Sequence, residues 1–414
     1  MPIWTLIFLV VLGAGLATGL YLSQRQISHV RRHAGKVPGA FADRVTLAAH
    51  RRAADYTIAR VRLSQVQRVV GALVLLGWTL GGGLDWLATQ SSALPGGHYL
   101  AGLALLLGLF LISGLIDLPL ELYSQFRLEE RFGFNRTTPA TFVGDLGRNL
   151  LVGLMLGLPL GFVVLWLMAN GGSYWWLWAW AAWIAFAALV AWLYPVLIAP
   201  LFNRFEPLAQ ADLRARIEAL MQRTGFNGRD VQVMDGSRRS SHGNAYFTGL
   251  GRNKRIVFFD TLLERLEPAE VEAVLAHELG HYRLRHVRTR LVSGALGMLA
   301  VFGLLAWLID QPWFFAGLGV QHRGDATALA LLMLVGPVFG YFLSPLMAQL
   351  SRRHEYQADT FAAEHASAAD LASALVKLTE DNAATLTPDP LHSAFYDSHP
   401  PVPLRLRHLD HAAT

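Results

Sequence analysis

Apolar residues along the chain gather into seven long runs, separated by segments in which polar and charged residues concentrate. A helix needs about 20 residues to cross the roughly 30 Å hydrocarbon core of a bilayer. Each apolar run is long enough, and the runs lie at residues 2–22, 66–88, 99–123, 148–170, 174–198, 291–311 and 326–349. The first run lacks a basic leader and a small-residue cleavage site, so we expect it to be retained as a helix. The pattern predicts a mainly α-helical, polytopic membrane protein with seven transmembrane helices.

Composition supports lipid as the solvent for much of the chain. Hydrophobic residues make up 53% of the 414 residues and charged residues 16%, with a mean hydropathy of +0.35. Cysteine is absent, which excludes a disulfide framework and a thiol nucleophile. The net charge is +5, but the basic residues flank the apolar runs, where they set membrane orientation rather than bind nucleic acid. We expect no nucleic acid partner.

The distribution of lysine and arginine predicts the orientation of the helices. Residues 24–68 carry 10 basic and 2 acidic side chains, whereas 89–98 and 171–173 carry no lysine or arginine. Basic loops stay on the cytoplasmic side, so the N-terminus is expected outside and the polar segments inside. This divides the chain into helices 1–5 (1–198, with cytoplasmic loops 24–65 and 124–147), a first polar part (199–290), helices 6 and 7 (291–349) and a second polar part (350–414).

The polar segments show the periodicities of a small α+β domain. Residues 207–226 have the spacing of an amphipathic helix, and 231–234 read as a short strand. Two runs rich in aromatic and β-branched residues, 244–248 and 255–259, predict a hairpin around a turn at 249–254. A further helix is expected to open near Pro268, a residue type favoured in a first turn.

That helix carries the motif His277-Glu278-Leu279-Gly280-His281. Residues four apart on a helix lie one turn apart on one face, so both imidazoles can bind one zinc ion. Glu278 then lies beside the metal, where it can act as general base on a zinc-bound water whose pKa falls to about 7. The alternative is a coincidental match on a solvated helix.

A mononuclear peptidase site needs a third protein ligand and an open fourth position. Glu355 is the candidate, on a helix expected to continue out of the last span. Asp359 lies one turn further on, where it could hydrogen-bond a ligating histidine and fix its orientation. The alternatives are that both are surface carboxylates balancing neighbouring arginines, or that His354 or His365 is the ligand.

Two residues of the C-terminal segment are candidates for contacts with the substrate. His399 precedes two prolines, so a rigid turn could point its imidazole into a cleft and stabilise the oxyanion of a tetrahedral intermediate. The Arg405 guanidinium could bind an oxyanion or a substrate carboxylate. Simple exposure on the surface is the alternative for each.

The first arm of the predicted hairpin is a candidate substrate-binding strand. An exposed strand beside a zinc-binding helix offers its backbone groups to an extended peptide, which then pairs as an additional strand. The residues in question are Asn244, Ala245, Tyr246 and Phe247. The alternative is a hairpin that packs in the core of the domain and does not bind substrate.

Taken together, these motifs resemble those of the integral-membrane CAAX prenyl endopeptidases of type I, a family of gluzincin metallopeptidases. The matching segments run nearly end to end: EERFGFNRT at 129–137, APLFNRF at 199–205, SSHGNAYFTGL at 240–250, the motif at 277–281, the segment 355–359 and the pair at 399–400. The resemblance implies seven helices enclosing a chamber, capped by a small α+β zinc-peptidase domain.

The resemblance also implies roles for individual residues and a class of substrate. One Zn²⁺ is held by His277, His281 and Glu355, with Glu278 as the base. Asp359 becomes a supporting acid, His399 the oxyanion stabiliser and the strand at 244–247 the substrate platform. The implied partners are the lipid bilayer and a peptide or protein substrate that is prenylated or otherwise membrane-associated.

The marked preference for arginine over lysine indicates a bacterial source, and hence the bacterial inner membrane. Prenylated substrates are not expected in bacteria, so membrane-associated or misfolded proteins become the alternative substrates.

A protease that cuts within lipid-embedded helices would carry its HExxH motif in an apolar span, whereas charged residues flank the motif here. A seven-helix channel, transporter or receptor with a structural zinc site is the other alternative, and only the peptidase needs the Glu278 carboxylate.

Overall fold

The computed structural model describes residues 2–226, 230–248 and 255–412. The predicted turn at 249–254 lies outside the described residues, whereas the two strands that it would join are present.

Seven apolar helical segments confirm the predicted spans. Within the described residues, six helices are long and apolar enough to cross a membrane, and a bent pair provides the seventh span. The helices are α1 (Ile3–His33), the pair α2 (Leu47–Trp78) and α3 (Gly83–Ser92), α4 (Gly97–Tyr123), α5 (Pro139–Asn170), α6 (Trp175–Leu193), α11 (His286–Leu308) and α13 (Asp325–Gly340), the last being the first part of the continuous helical segment Asp325–His365. Short helices α7 (Ala199–Phe202) and α12 (Pro312–Gly317) follow α6 and α11.

The break in the second span has a local cause in the sequence. Helices α2 and α3 meet at an angle of 53° across a break of at most four residues. Gly82, just before α3, adopts a φ of 77°, in the left-handed region that glycine enters without a steric penalty. The run predicted as a single span is therefore divided between two helices.

Apolar side chains fill the interior of the membrane bundle and also cover its outside. Phe8, Leu165, Leu305 and Leu331 come from four different helices and are at most 3% exposed. Other large apolar residues, such as Phe110 with 68% exposure, point away from the protein. Lipid tails are the solvent that such an outer surface requires.

The polar segments fold into one domain around a four-stranded sheet with the strand order β1-β2-β4-β3. The strands are β1 (Phe205–Pro207), β2 (Asp230–Met234), β3 (Ala245–Thr248) and β4 (Arg255–Phe259), and only β2 and β4 pair in parallel. The helices are α8 (Ala211–Thr224), α9 (Asp260–Leu263), α10 (Pro268–Arg283), α14 (Ser344–His365), α15 (Ala368–Asp381), α16 (Pro390–Tyr396) and α17 (Val402–Ala412).

The helix predicted for 207–226 is shorter than expected. It begins only at Ala211, because residues 205–207 pair with β2 as the edge strand β1. This tertiary pairing overrides the local helical periodicity. The helix ends before Gly225, whose φ of 62° gives the left-handed C-terminal cap that glycine favours.

A buried ionic cluster fixes the start of α10. Glu270 is 4% exposed and accepts the Glu267 backbone N–H at 2.8 Å, which satisfies one of the unpaired donors of the first turn. Its carboxylate also accepts hydrogen bonds from Ser373 and Lys377 of α15, each at 2.7 Å. Burial raises the pKa of Glu270, but these hydrogen bonds outweigh it and hold the pKa below its ordinary value.

Helix α10 approaches α14 closely because Gly280 has no side chain. A Cβ at this position would lie 3.1 Å from the Ala358 Cα and 3.1 Å from the Phe361 Cβ. Helix α14 follows α13 directly through the short turn Tyr341–Leu343, so it continues out of the last membrane span as predicted. The close contact brings the first polar part of the chain against the second.

Candidate metal centre and active site

Two imidazoles of α10 and one carboxylate of α14 converge on a single point. The Nε2 atoms of His277 and His281 lie 3.4 Å and 3.2 Å from the two carboxylate oxygens of Glu355. The two Nε2 atoms are 3.3 Å apart. One ligand atom from each residue lies within 4.8 Å of the others, so the three could hold one metal ion.

The chemistry of this cluster fits a divalent cation. Glu355 is 3% exposed, and its buried Oε2 has no hydrogen-bond partner among the described residues. A buried acceptor left without a donor costs about 1–3 kcal/mol, and a cation would satisfy it. Two imidazoles and one carboxylate form a donor set typical of zinc sites with an open fourth position.

Asp359 and Arg405 lie beside His277, next to its Nδ1 atom. Its Nδ1 lies 2.8 Å from Oδ1 of Asp359, which is fully buried. Arg405 is 6% exposed and donates from Nε to Asp359 Oδ2 at 2.8 Å, with a second contact from Nη2. Burial lowers the pKa of His277, but its contacts with the carboxylates of Asp359 and Glu355 outweigh this effect and raise the pKa. Arg405 thus lies beneath His277 and is engaged with Asp359.

A cavity of about 1020 Å³ opens on the other side of the cluster. Among its lining residues are Glu278, His281, Glu355 and His399. The His399 side chain is 66% exposed, and its Nε2 lies 3.5 Å from Glu355 Oε1. The base and the oxyanion stabiliser expected from the sequence therefore face the same open space as the cluster.

Strand β3 forms one edge of the sheet beside this cavity. It pairs with β4, and no strand of the described residues lies on its other side. Tyr246 and Phe247 line the cavity, and Asn244, just before the strand, is exposed. Burial, together with Tyr194, raises the pKa of Tyr246 to about 12. The strand therefore has a free backbone edge, which a substrate-binding strand at 244–247 would require.

Sequence reasoning missed two residues that support His281. Its Nδ1 lies 3.1 Å from Nδ1 of His286, whose Nε2 lies 2.9 Å from Gln357 Oε1. Among the described residues, neither rival ligand belongs to the three-residue cluster: His354 lines the cavity and stacks on His286, and His365 contacts a carbonyl of its own helix. One signal in the sequence is that His286 lies close to the motif, at the start of the next helix. Its distance of five residues from His281 is not a helical spacing, so periodicity does not link the two residues.

Comparisons with known proteins match the whole architecture. Residues 26–204 match the family described as CAAX prenyl protease N-terminal, five membrane helices, and residues 207–413 match peptidase family M48. The CAAX prenyl protease 1 homolog of Arabidopsis thaliana is 36% identical over 79% of this chain and 79% of its own length. The human homolog is 35% identical over 72% of this chain and 71% of its own.

A relative from Saccharomyces cerevisiae, CAAX prenyl protease 1, is 35% identical over 73% of this chain and 70% of its own. The crystal structure of S. mikatae Ste24p superposes with a TM-score of 0.91 at 30% identity, covering 99% of this chain and 100% of that one. Both halves of the fold thus match one kind of enzyme. The chain belongs to the CAAX prenyl protease type of M48 peptidases and is a membrane-bound metalloendopeptidase.

Proposed function

We propose that His277, His281 and Glu355 hold one Zn²⁺ and that this site hydrolyses peptide bonds of proteins presented at the membrane. The observation that carries the proposal is the convergence of both Nε2 atoms on the buried carboxylate of Glu355, one on each oxygen, at the wall of a large cavity. Zinc, when bound, supplies a Lewis acid that lowers the pKa of a coordinated water to about 7.

The side chains around the ligands supply the remaining chemistry. Glu278 is the general base that removes the proton from the attacking water, since its carboxylate faces the cavity one residue after a ligand. His399 donates a hydrogen bond to the oxyanion that develops from the scissile carbonyl. The open face supports a catalytic site over a structural one, because a structural zinc site is closed by a fourth protein ligand.

Asp359 and Arg405 act through His277. The Nδ1–H of His277 donates to Asp359, which fixes the tautomer whose Nε2 lone pair faces the metal. Arg405 keeps the buried Asp359 ionised by a two-point contact. Its burial and its contacts favour this positioning role over the substrate binding suggested by the sequence alone.

The substrate binds as an extended strand along β3, where Asn244, Ala245, Tyr246 and Phe247 present the free edge. The relatives' names point to proteins that end in a prenylated CAAX sequence. If the arginine-rich composition reflects a bacterial inner membrane, membrane-associated or misfolded proteins are the substrates instead.

The basic loop at 24–65 supports an N-terminus outside and a peptidase domain, formed by 199–290 and 350–414, in the cytoplasm. Reporter fusions at each end would test this orientation, and activity of a cytoplasm-specific reporter at the N-terminus would contradict it.

The decisive experiment is cleavage of matched farnesylated and unmodified CAAX peptides by the detergent-purified protein. We expect chelator-sensitive cleavage that Glu278→Gln abolishes while zinc content stays the same. Glu264→Gln is the matched control, because Glu264 is exposed on the same domain away from the cavity. Full activity of the Glu278→Gln variant would refute the proposal. If neither peptide is cleaved although zinc is bound, unprenylated membrane proteins become the substrates to test.

A further inference from the structure

Behind His281 lies a chain of two hydrogen bonds that no part of the proposed reaction uses. The Nδ1 atoms of His281 and His286 are 3.1 Å apart, and His286 Nε2 is 2.9 Å from the side-chain oxygen of Gln357. His286 is 4% exposed, so water cannot replace these partners at low cost. The chain joins the end of α10, the first residue of α11 and the middle of α14.

The protons along this chain can be arranged in one way when His281 binds a cation. Its Nε2 faces the cluster and must present a lone pair there, so its single proton sits on Nδ1. That proton requires an acceptor, which makes Nδ1 of His286 the unprotonated nitrogen. His286 then carries its proton on Nε2 and donates it to the Gln357 oxygen, which can only accept. Each donor meets an acceptor, and the chain closes with both rings neutral.

The fold is built to place His286 at this point. Arg285, between α10 and α11, adopts a φ of 62°, a left-handed conformation that is uncommon for a residue with a side chain. This turn brings the first residue of α11 back against the last turn of α10. His354 stacks on the His286 ring at a centroid distance of 4.0 Å and an angle of 10°, which fixes the plane of the ring.

We propose that His286 and Gln357 are positioning residues that hold His281 in the tautomer and ring orientation required to bind the metal. They do for His281 what Asp359 does for His277, but with a neutral acceptor instead of a carboxylate. The inference rests on the proposed function, because it takes His281 as a zinc ligand. Its consequence is that two residues outside the HExxH motif tune the affinity of the metal centre.

The test is the zinc dissociation constant of the detergent-purified full chain, measured by competition with a chromophoric chelator. His286→Phe keeps a stacked ring but removes the acceptor, and we expect zinc affinity to fall about 10- to 100-fold. Gln357→Leu leaves His286 free to adopt the wrong tautomer, and we expect a smaller loss of about three- to tenfold. His286→Gln, whose amide oxygen can accept from His281, should recover part of the affinity. Gln222→Leu is the matched control for Gln357→Leu, because Gln222 is an exposed residue of α8 outside the cavity, and it should bind zinc as the wild type does.

Unfolding of the metal-free variants, measured in parallel, separates positioning from a general loss of structure. Weaker zinc binding with an unchanged metal-free unfolding midpoint supports the inference, and Gln357→Leu provides this result even if His286→Phe does not fold. Wild-type affinity in both His286→Phe and Gln357→Leu would overturn it. His281→Ala is the benchmark: if the wild type binds no zinc, or His281→Ala binds it equally well, the proposed ligand set itself is wrong.

Discussion

Gly280 lies inside the HExxH motif and allows the contact on which the metal centre depends. In the variant Gly280→Ala, the new Cβ would lie 3.1 Å from the Ala358 Cα and 3.3 Å from the Phe361 Cδ1. Backbone cannot turn aside as a flexible side chain does, so α10 and α14 must separate by a few tenths of an ångström. The same displacement would move His281 Nε2 away from Glu355 Oε1, and these two atoms lie 3.2 Å apart in the wild type.

Two opposing effects set the size of the change in stability. Alanine is better than glycine in a helix interior by about 0.8–1.0 kcal/mol, which favours the variant. Overpacking a tight contact costs about 1–3 kcal/mol. The net free energy of unfolding therefore changes by between roughly zero and a loss of about 2 kcal/mol. Activity is more sensitive, because a misplacement of 1 Å can cost about 100-fold, so a few tenths should lower kcat/KM about three- to tenfold.

Gly294→Ala is the matched control for this variant. Gly294 lies in α11, and a Cβ there would meet no atom within 4 Å. It receives the same gain in helix propensity without the clash, so the two variants should differ by the packing cost of about 1–3 kcal/mol. The measurements are unfolding midpoints in detergent, zinc affinity and kcat/KM on one peptide. Equal stability and equal kcat/KM for Gly280→Ala and Gly294→Ala would show that the close approach is not required.

Three further predictions concern the supporting ion pairs and the substrate side. Arg405→Leu removes the cationic partner of the buried Asp359, which keeps its contact with His277, and should cost about 3–5 kcal/mol in thermal unfolding; a loss below 1 kcal/mol would contradict this. Because the pKa of Glu270 is lowered by Lys377, the pair's stabilisation is present above the carboxyl's ordinary value of 4.5 and lost as pH falls below it. Glu270→Gln should therefore flatten the decline of the unfolding midpoint as the pH falls below about 4.5, and an unchanged decline would refute the assignment. His399→Ala should lower kcat about 100-fold with little change in KM, whereas a change in KM alone would indicate ground-state binding.

The features that could be predicted from sequence are those encoded locally. Apolar runs of sufficient length revealed all seven spans, and the spacing of His277 and His281 placed both imidazoles on one helical face. Glu355 is more than seventy positions further along the chain, and its proximity depends on the packing of α10 against α14. Periodicity carries no information on that contact. From residue spacing alone, Glu355 could equally be a surface carboxylate. Its assignment came from the family resemblance.

The features that escaped prediction depend on tertiary contacts or on unusual backbone. The strand β1 exists because residues 205–207 find a partner in β2, and three residues are too few for a periodic signal. His286 follows His281 by five positions, which is not a helical spacing, and it returns to the site only through the left-handed Arg285. Arg405 reaches Asp359 from the last helix, so its burial could not be inferred from the neighbouring residues.

The connection between the membrane bundle and the metal centre follows from the order of the helices. Helix α10, with two of the proposed ligands, leads within two residues into the span α11, and α14, with the third, continues from the span α13. Helices α11 and α13 also contact each other in the bundle. The distance between the two halves of the site is thus fixed at both ends, by Gly280 at the domain and by the packing of two membrane helices below it.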